Sequence, residues 1–358
     1  MRALAFGFLL SAAAWAQELA LDVKPTPRPG VIELLRQEEE RARARESAYP
    51  ALEPTSDAPL EMDNVGYGPL RLSSASAFHA FRLDVFPEAP STLRQGGWEL
   101  RENLTWSRVW AQSDDYLLSF ETLGHVTSAA HAVSDRFQIE IGAVSTSRFT
   151  GELERFVRDF HDAFNIPQGG RDSVDLGSYH FRVGDVEVGK SDETVDHVFT
   201  TLRYILTPGD DVMPAISASL TLGTGVGDSE LSGDSVSVAG MLSAAKGFGD
   251  VYVYAAAGLA WFGDLRFHGL GLRPFGASVM VGVEWRILEG VSVVLQHLWS
   301  PGAIEGFEEL SRPAYELAWG LKIEAVAGSV FELAMTENIL EFDSSPDFGL
   351  HAGLVVRF

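Results

Sequence analysis

Nucleophilic chemistry needs a hydroxyl, a base within reach of it and a group that orients the base. The most obvious pairing in this sequence is His297 and Ser300, in QHLWSPG. On a continuous strand, residues three apart point to opposite faces, whereas a His-x-Ser spacing would share one. His79 and His351 have no Ser and carboxylate that sequence alone brings beside them. A membrane-embedded hydrolase acting on lipid is therefore an alternative without a site. Metal chemistry is served no better. In FVRDFHDAFN, Asp159 and Asp162 can share a helix face, but His161 points elsewhere. No phosphate loop, dinucleotide fingerprint or HExxH occurs, so no cofactor and no metal are expected. Cysteine is absent, which removes disulfides and thiol chemistry. The net charge of -23 excludes nucleic acid as a partner, because phosphate binding needs clustered Lys and Arg.

What remains are charges at alternating positions: Glu99, Arg101, Glu121, Glu140, Arg203, Glu284, Arg286, Glu316, Lys322, Glu324, Glu332 and Arg357. They do chemistry together only if some element holds them on one face. From Trp98 onward the hydrophobic period is two, the signature of strands. In FGASVMVGVEWRI, Phe275, Ala277, Val279, Val281, Val283, Trp285 and Ile287 oppose Gly276, Ser278, Met280, Gly282, Glu284 and Arg286. AYELAWGLKIEA and VYVYAAAGLAW repeat the pattern. The runs are roughly 10–13 residues long and carry tryptophans near their ends (Trp98, Trp110, Trp261, Trp285, Trp299, Trp319), which describes membrane-crossing strands. Such a sheet must close on itself, since hydrocarbon offers nothing to an open edge.

The expected strands are 98–110, 116–130, 137–146, 195–206, 213–223, 234–247, 250–263, 274–287, 290–299, 313–326, 330–341 and 347–358. That makes an all-β fold, a transmembrane antiparallel barrel of about twelve strands. Short turns (VSDR, TPGDD, FGD, LEG, AVAGS) alternate with longer links, apart from the short AQSDD after the first strand. The listed charges then face the lumen. They predict either a salt-bridged, filled interior or a polar pathway, and both signs are present.

Three segments lie outside this pattern. MRALAFGFLLSAAAWA, residues 1–16, reads as a secretory signal, so an outer-membrane destination is expected. Residues 17–62 read as a periplasmic arm with a short charged helix over Val31–Ala48. Residues 63–97 carry Arg71, His79 and Arg82 before the first strand, and are expected to be a luminal plug or a strap across the barrel mouth. Within the long link 147–194, Phe156, Phe160 and Phe164 share a helix face and are expected to pack over the mouth.

The end of the chain, HAGLVVRF, puts Ala352, Leu354, Val356 and Phe358 on the lipid face. His351, Gly353, Val356 and the terminal Phe358 resemble the C-terminal signal read by the outer-membrane assembly machinery. Two further stretches, Gly68–Trp110 and Glu152–Asp172, are similar to a family of bacterial outer-membrane β-barrel proteins of unknown function, over about Gly68 to Phe358. The resemblance implies a barrel and an outer-membrane location, and no activity. The first stretch also loosely resembles the N-terminal hatch of hydrophobic-substrate outer-membrane transporters. The expected protein is a monomer whose partners are outer-membrane lipid, the assembly machinery and a small, possibly hydrophobic solute that it passes. The alternatives are the hydrolase above and a structural barrel that anchors a periplasmic partner.

Overall fold

The computed structural model describes residues 65–358, apart from 80, 81, 83–85, 92, 166, 227–230, 233–235, 264, 265 and 339–342. The expected signal segment, 1–16, and arm, 17–62, lie outside the described residues. Twelve long strands form one antiparallel ring. They are β1 (Trp98–Gln112), β2 (Tyr116–Ser134), β3 (Phe137–Phe149), β4 (Ser191–Thr207), β5 (Ala215–Gly225) and β6 (Val236–Phe248). There follow β7 (Val251–Trp261), β8 (Phe275–Leu288), β9 (Val291–Ser300), β10 (Ala314–Val326), β11 (Ser329–Asn338) and β12 (Phe348–Arg357). Each pairs with the next in sequence. The ring closes where β1 pairs with β12, from Glu99 opposite Arg357 to Arg108 opposite Phe348. Every strand edge thereby finds a partner, as an element crossing hydrocarbon requires.

Alternation sets the faces. Along β7 the exposed positions are Val253, Ala255, Ala257, Leu259 and Trp261, while Tyr252, Tyr254, Ala256 and Ala260 are buried. The outward set is apolar, the inverse of a soluble protein, because lipid is its solvent. The ring has two unlike ends. The short turns occupy the end that holds Trp98 and Phe358. Four β-bulges, at Ala132/Ser134, Ile205/Thr207, Arg286/Leu288 and Glu324/Val326, bend strands there. In the turn after β4, the carboxylate of Asp210 accepts the backbone N–H groups of Met213 and Val212, each at 2.7 Å, which holds its carboxyl below the ordinary carboxylate range. Two more bulges lie higher in the wall between β3 and β4, at Val144/Ser145 and Thr146/Arg148.

At the long-link end β1 to β3 rise above their neighbours. The link after β3 holds helix α1 (Leu153–Phe164), and its expected place over the mouth is corrected. Leu153 and Val157 pack on Phe348, Trp106, Met335 and Leu350, which sit on the outward faces of β12, β1 and β11. The helix therefore lies against the outside of the wall. Glu121 is corrected with it. It opposes Arg108 on the outward face and accepts the N–H groups of Leu153 and Glu154 at the helix start, so it is a cap and not a luminal charge. Arg108 in turn is buried against Glu154. Trp110 is no girdle residue either: it is buried and donates to the carbonyl of Gly169 at 2.8 Å.

Gly142 faces inward on β3, close against the ring of Phe199. A β-carbon there would come within 2.5 Å of that ring and 2.7 Å of the Thr127 carbonyl. Gly142→Val should cost about 1–3 kcal/mol of stability. Urea unfolding from lipid vesicles, followed by tryptophan fluorescence, checks it.

Candidate functional site

The interior is where the alternating charges meet. All nine of Arg101, Glu140, Arg203, Glu284, Arg286, Glu316, Lys322, Glu324 and Arg357 occupy inward positions, as do Glu99 and Glu332. All except Glu316 crowd toward the short-turn end. Above them the wall turns to small polar side chains, among them Asn103, Thr105, Ser107, Thr122 and Thr146.

The chain before β1 passes through this interior as a hairpin. It starts at the short-turn end beside β7 to β10. There the carboxylate of Glu284 accepts the N–H groups of Tyr67 and Gly68 at 3.1 Å, and the Tyr254 hydroxyl donates to the Val65 carbonyl at 2.8 Å. Lys322 donates to the Pro69 carbonyl at 2.8 Å, Gln296 to that of Leu70 at 3.1 Å, and the Tyr67 hydroxyl to Glu324 at 2.9 Å. Arg286 lies over the rings of Tyr67 and Tyr252. Gly66 makes the close approach possible: its φ is +57°, and a β-carbon would sit 2.6 Å from the Tyr254 hydroxyl oxygen.

The segment then climbs. Ser74 donates to Glu316. At the long-link end His79 lies 2.8 Å from the Pro301 carbonyl, and Arg82 donates to the carbonyls of Arg273 and Ala303 and stacks on Phe262. Phe78, at the tip, meets Phe181 and Phe267 edge-on at 6.0 and 6.5 Å, within an aromatic cluster built by the outer links. The descending limb runs beside β1 to β4, with Phe86 against Phe199, Leu93 bonded to Gln138 and Gln95 bonded to Asp135.

Glu88 is the descending limb's chief tie, and nothing in the sequence marked it. Its carboxylate touches Arg71 at 3.2 Å, Arg101 at 2.7 Å and Arg203. Arg71 also donates to Glu140 at 2.5 Å, and Glu99 joins Arg101 to Arg357. Four guanidiniums and three carboxylates thus share one nearly dry knot. Removing water from so many charges is costly, and each sign is tolerable only because the other surrounds it. Beside the knot Lys322 bonds Glu332 at 2.7 Å, and His351 lies 3.6 Å from Glu332 and 3.1 Å from Thr105. So His351 is an interior residue. Gly353 leaves room beside Asn103, while Val356 and Phe358 face outward. His297 points out and Ser300 in, as their spacing requires. His161 lies against the Pro167 carbonyl and Arg171, and burial holds its imidazole below the ordinary value. Among the described residues no group of three His, Asp or Glu is placed to hold a metal.

Glu88→Gln leaves Arg71, Arg101 and Arg203 with one carboxylate fewer. It should weaken docking of the interior segment by about 3–5 kcal/mol. Trypsin cleavage at Arg71, slow in the native chain, should become fast while the barrel keeps its heat-modifiable migration on gels.

No curated protein matches the sequence significantly. Solved structures with a similar barrel include the COG4313 outer membrane channel from Pseudomonas putida F1, 14% identical, with 77% of this chain and 100% of that one covered and a TM-score of 0.49. The translocator domain of the autotransporter NalP from Neisseria meningitidis is 8% identical, covers 74% and 90%, and scores 0.40. The toluene transporter TodX of Pseudomonas putida is 10% identical, covers 82% and 95%, and scores 0.35. The sequence profile of one family, described as protein of unknown function (DUF3187), matches residues 57–358, which is most of the chain, and the protein belongs to that family.

Proposed function

We propose that this is an outer-membrane channel, closed at rest by residues 65–94, which passes a small solute when that segment shifts. The observation that carries the reading is the double pass of the segment through the lumen. It is held mainly by hydrogen bonds and ion pairs to the wall, of the kind water can replace. A segment meant only to fill a core would offer apolar side chains instead. The short-turn end faces the periplasm in this reading and the aromatic cluster faces outward. The lipid-facing belt and the terminal strand, with Val356 and Phe358 on its outer face, support assembly into the outer membrane as a monomer.

The lining favours a solute with polar groups. A cleft runs between the segment and β1 to β3, walled by Ser73, Asn103, Thr105, Ser107, Thr122 and Thr146. Its apolar contributions come from Phe86, Val126 and Val144. An amphipathic solute suits such a wall better than a hydrocarbon does.

Planar-bilayer conductance of the refolded chain tests the reading. The full chain should be silent, and a version lacking Asp63–Thr92 should open discrete steps. Silence from both would mean a lumen filled by its own side chains, and the channel reading would fall.

A further inference from the structure

The interior is not packed throughout. Ser73 on the interior segment, Gly124 on β2 and Val144 on β3 keep part of their surface open although they lie inside the ring. They border one hollow, the cleft between the segment and β1 to β3, with a volume of about 50 Å³. That is room for about four waters. Gly124 makes its floor. A β-carbon there would meet nothing nearer than the Thr105 carbonyl, at 3.8 Å, whereas Gly142 yields its space to the ring of Phe199. Gly124 yields its space to the cleft. Around this floor the ladder sets out hydroxyls in a grid. Thr105 and Thr146 stand opposite Gly124 on the two neighbouring strands, and Ser107 stands opposite Thr122.

A second observation points to a ligand. Ser107, on the cleft wall, is wholly buried, and its hydroxyl has no hydrogen-bond partner among the described residues. Leaving such a group unpaired costs stability, and a hydroxyl from a solute would repay it. Serine and threonine hydroxyls both donate and accept, so the group that matches a wall of them also does both. The charges at the border are already engaged. Arg71 pairs with Glu140 and Glu88, and Arg82 donates to the carbonyls of Arg273 and Ala303. A carboxylate or an ammonium entering the cleft would lose its water and find no free counter-charge. A hydrocarbon would leave the hydroxyls unmet. Phe86, Val126 and Val144 offer one apolar side, against which CH groups can lie.

We infer that the cleft over Gly124 binds a small uncharged polyol, with Ser107, Thr122 and Thr146 as its hydrogen-bonding wall. The inference rests on the channel reading for the solute's route, and it names the class of solute that reading leaves open. A chain of three or four hydroxylated carbons replaces about as many waters as the cleft holds. Its hydroxyls meet the β1 to β3 wall, and one of them supplies the partner that Ser107 lacks. Its carbon-bound hydrogens meet the apolar side. Because Ser73 borders the same hollow, the bound polyol lies between wall and segment, at the face where a shift of the segment would free it.

The test uses the full chain refolded in lipid vesicles, with erythritol as the probe. Saturation-transfer NMR should show magnetisation passing from protein to erythritol. An excess of threitol should displace it, and an excess of erythronate, the same chain carrying a carboxylate, should not. Gly124→Leu fills the floor of the cleft and should abolish the transfer. Ser107→Ala and Thr146→Val should each weaken binding by about three- to tenfold. Heat-modifiable migration checks that each variant folds, and the two hydroxyl deletions decide the matter if Gly124→Leu does not. No transfer to erythritol, displacement by erythronate as effective as by threitol, or binding unchanged in the folded variants would overturn the assignment. The two readings fail separately. Silence of both chains in the planar bilayer would end the channel reading and leave erythritol binding as measured. Discrete steps from the deletion, with no erythritol bound to the full chain, would end the polyol assignment alone.

Discussion

Hydrocarbon cannot hydrogen-bond a peptide group, and this chain answers that constraint by pairing its last strand with its first. The pairing of β12 with β1 converts a sheet with two costly edges into a ring with none. Everything else follows from that closure. A closed wall has an inside, and strict alternation fills the inside with whatever the lipid face excludes. The charges that hold the interior segment exist at alternate positions because the neighbouring positions must be apolar.

The interior then has to neutralise itself, and the knot around Glu88 and Glu140 shows how. The wall supplies more guanidinium than carboxylate at this spot, and the interior segment brings both signs, Arg71 and Glu88, to complete it. The segment's two charges add nothing net, but each pairs with the opposite sign on the wall, Arg71 with Glu140 and Glu88 with Arg101 and Arg203. This differs from packing by shape, where either partner could collapse onto itself. It also explains the gradient along the lumen. Ion pairs gather at the end where the segment both enters and leaves, and hydroxyls line the wall above them.

The period of two was legible from sequence because it needs only local information, and so were the inward positions that follow from it. Val253 and Tyr254 could be sorted by counting. Whatever depended on register between strands could not be sorted. A slip of one residue exchanges the faces of a strand, and no local signal says where the slip stops. Glu121 was assigned to the wrong face for this reason, on a β2 longer than its apolar run suggested. The meeting of Glu102 with His125 and Thr127 was invisible too, since residues on two strands become neighbours only once the ladder is drawn. Glu88 sits in FPEAP, a stretch with no periodicity to read. Helix α1 was found by its phenylalanine spacing, but which surface it covers is a property of the wall beneath it.

The hairpin path of the interior segment has a mechanical consequence. An element that enters and leaves by the same end, tied to its surroundings at successive heights, is loaded in series by a pull on its upstream end. The ties at Tyr67, Gly68 and Pro69 bear the whole tension first, then Arg71 and Ser74, then Phe78, His79 and Arg82 at the tip, and Glu88 on the descending limb comes last. Ties broken one after another yield at the force of the strongest single one, whereas ties broken together demand their sum. The hairpin therefore peels like a zip fastener, under modest tension over a long stroke.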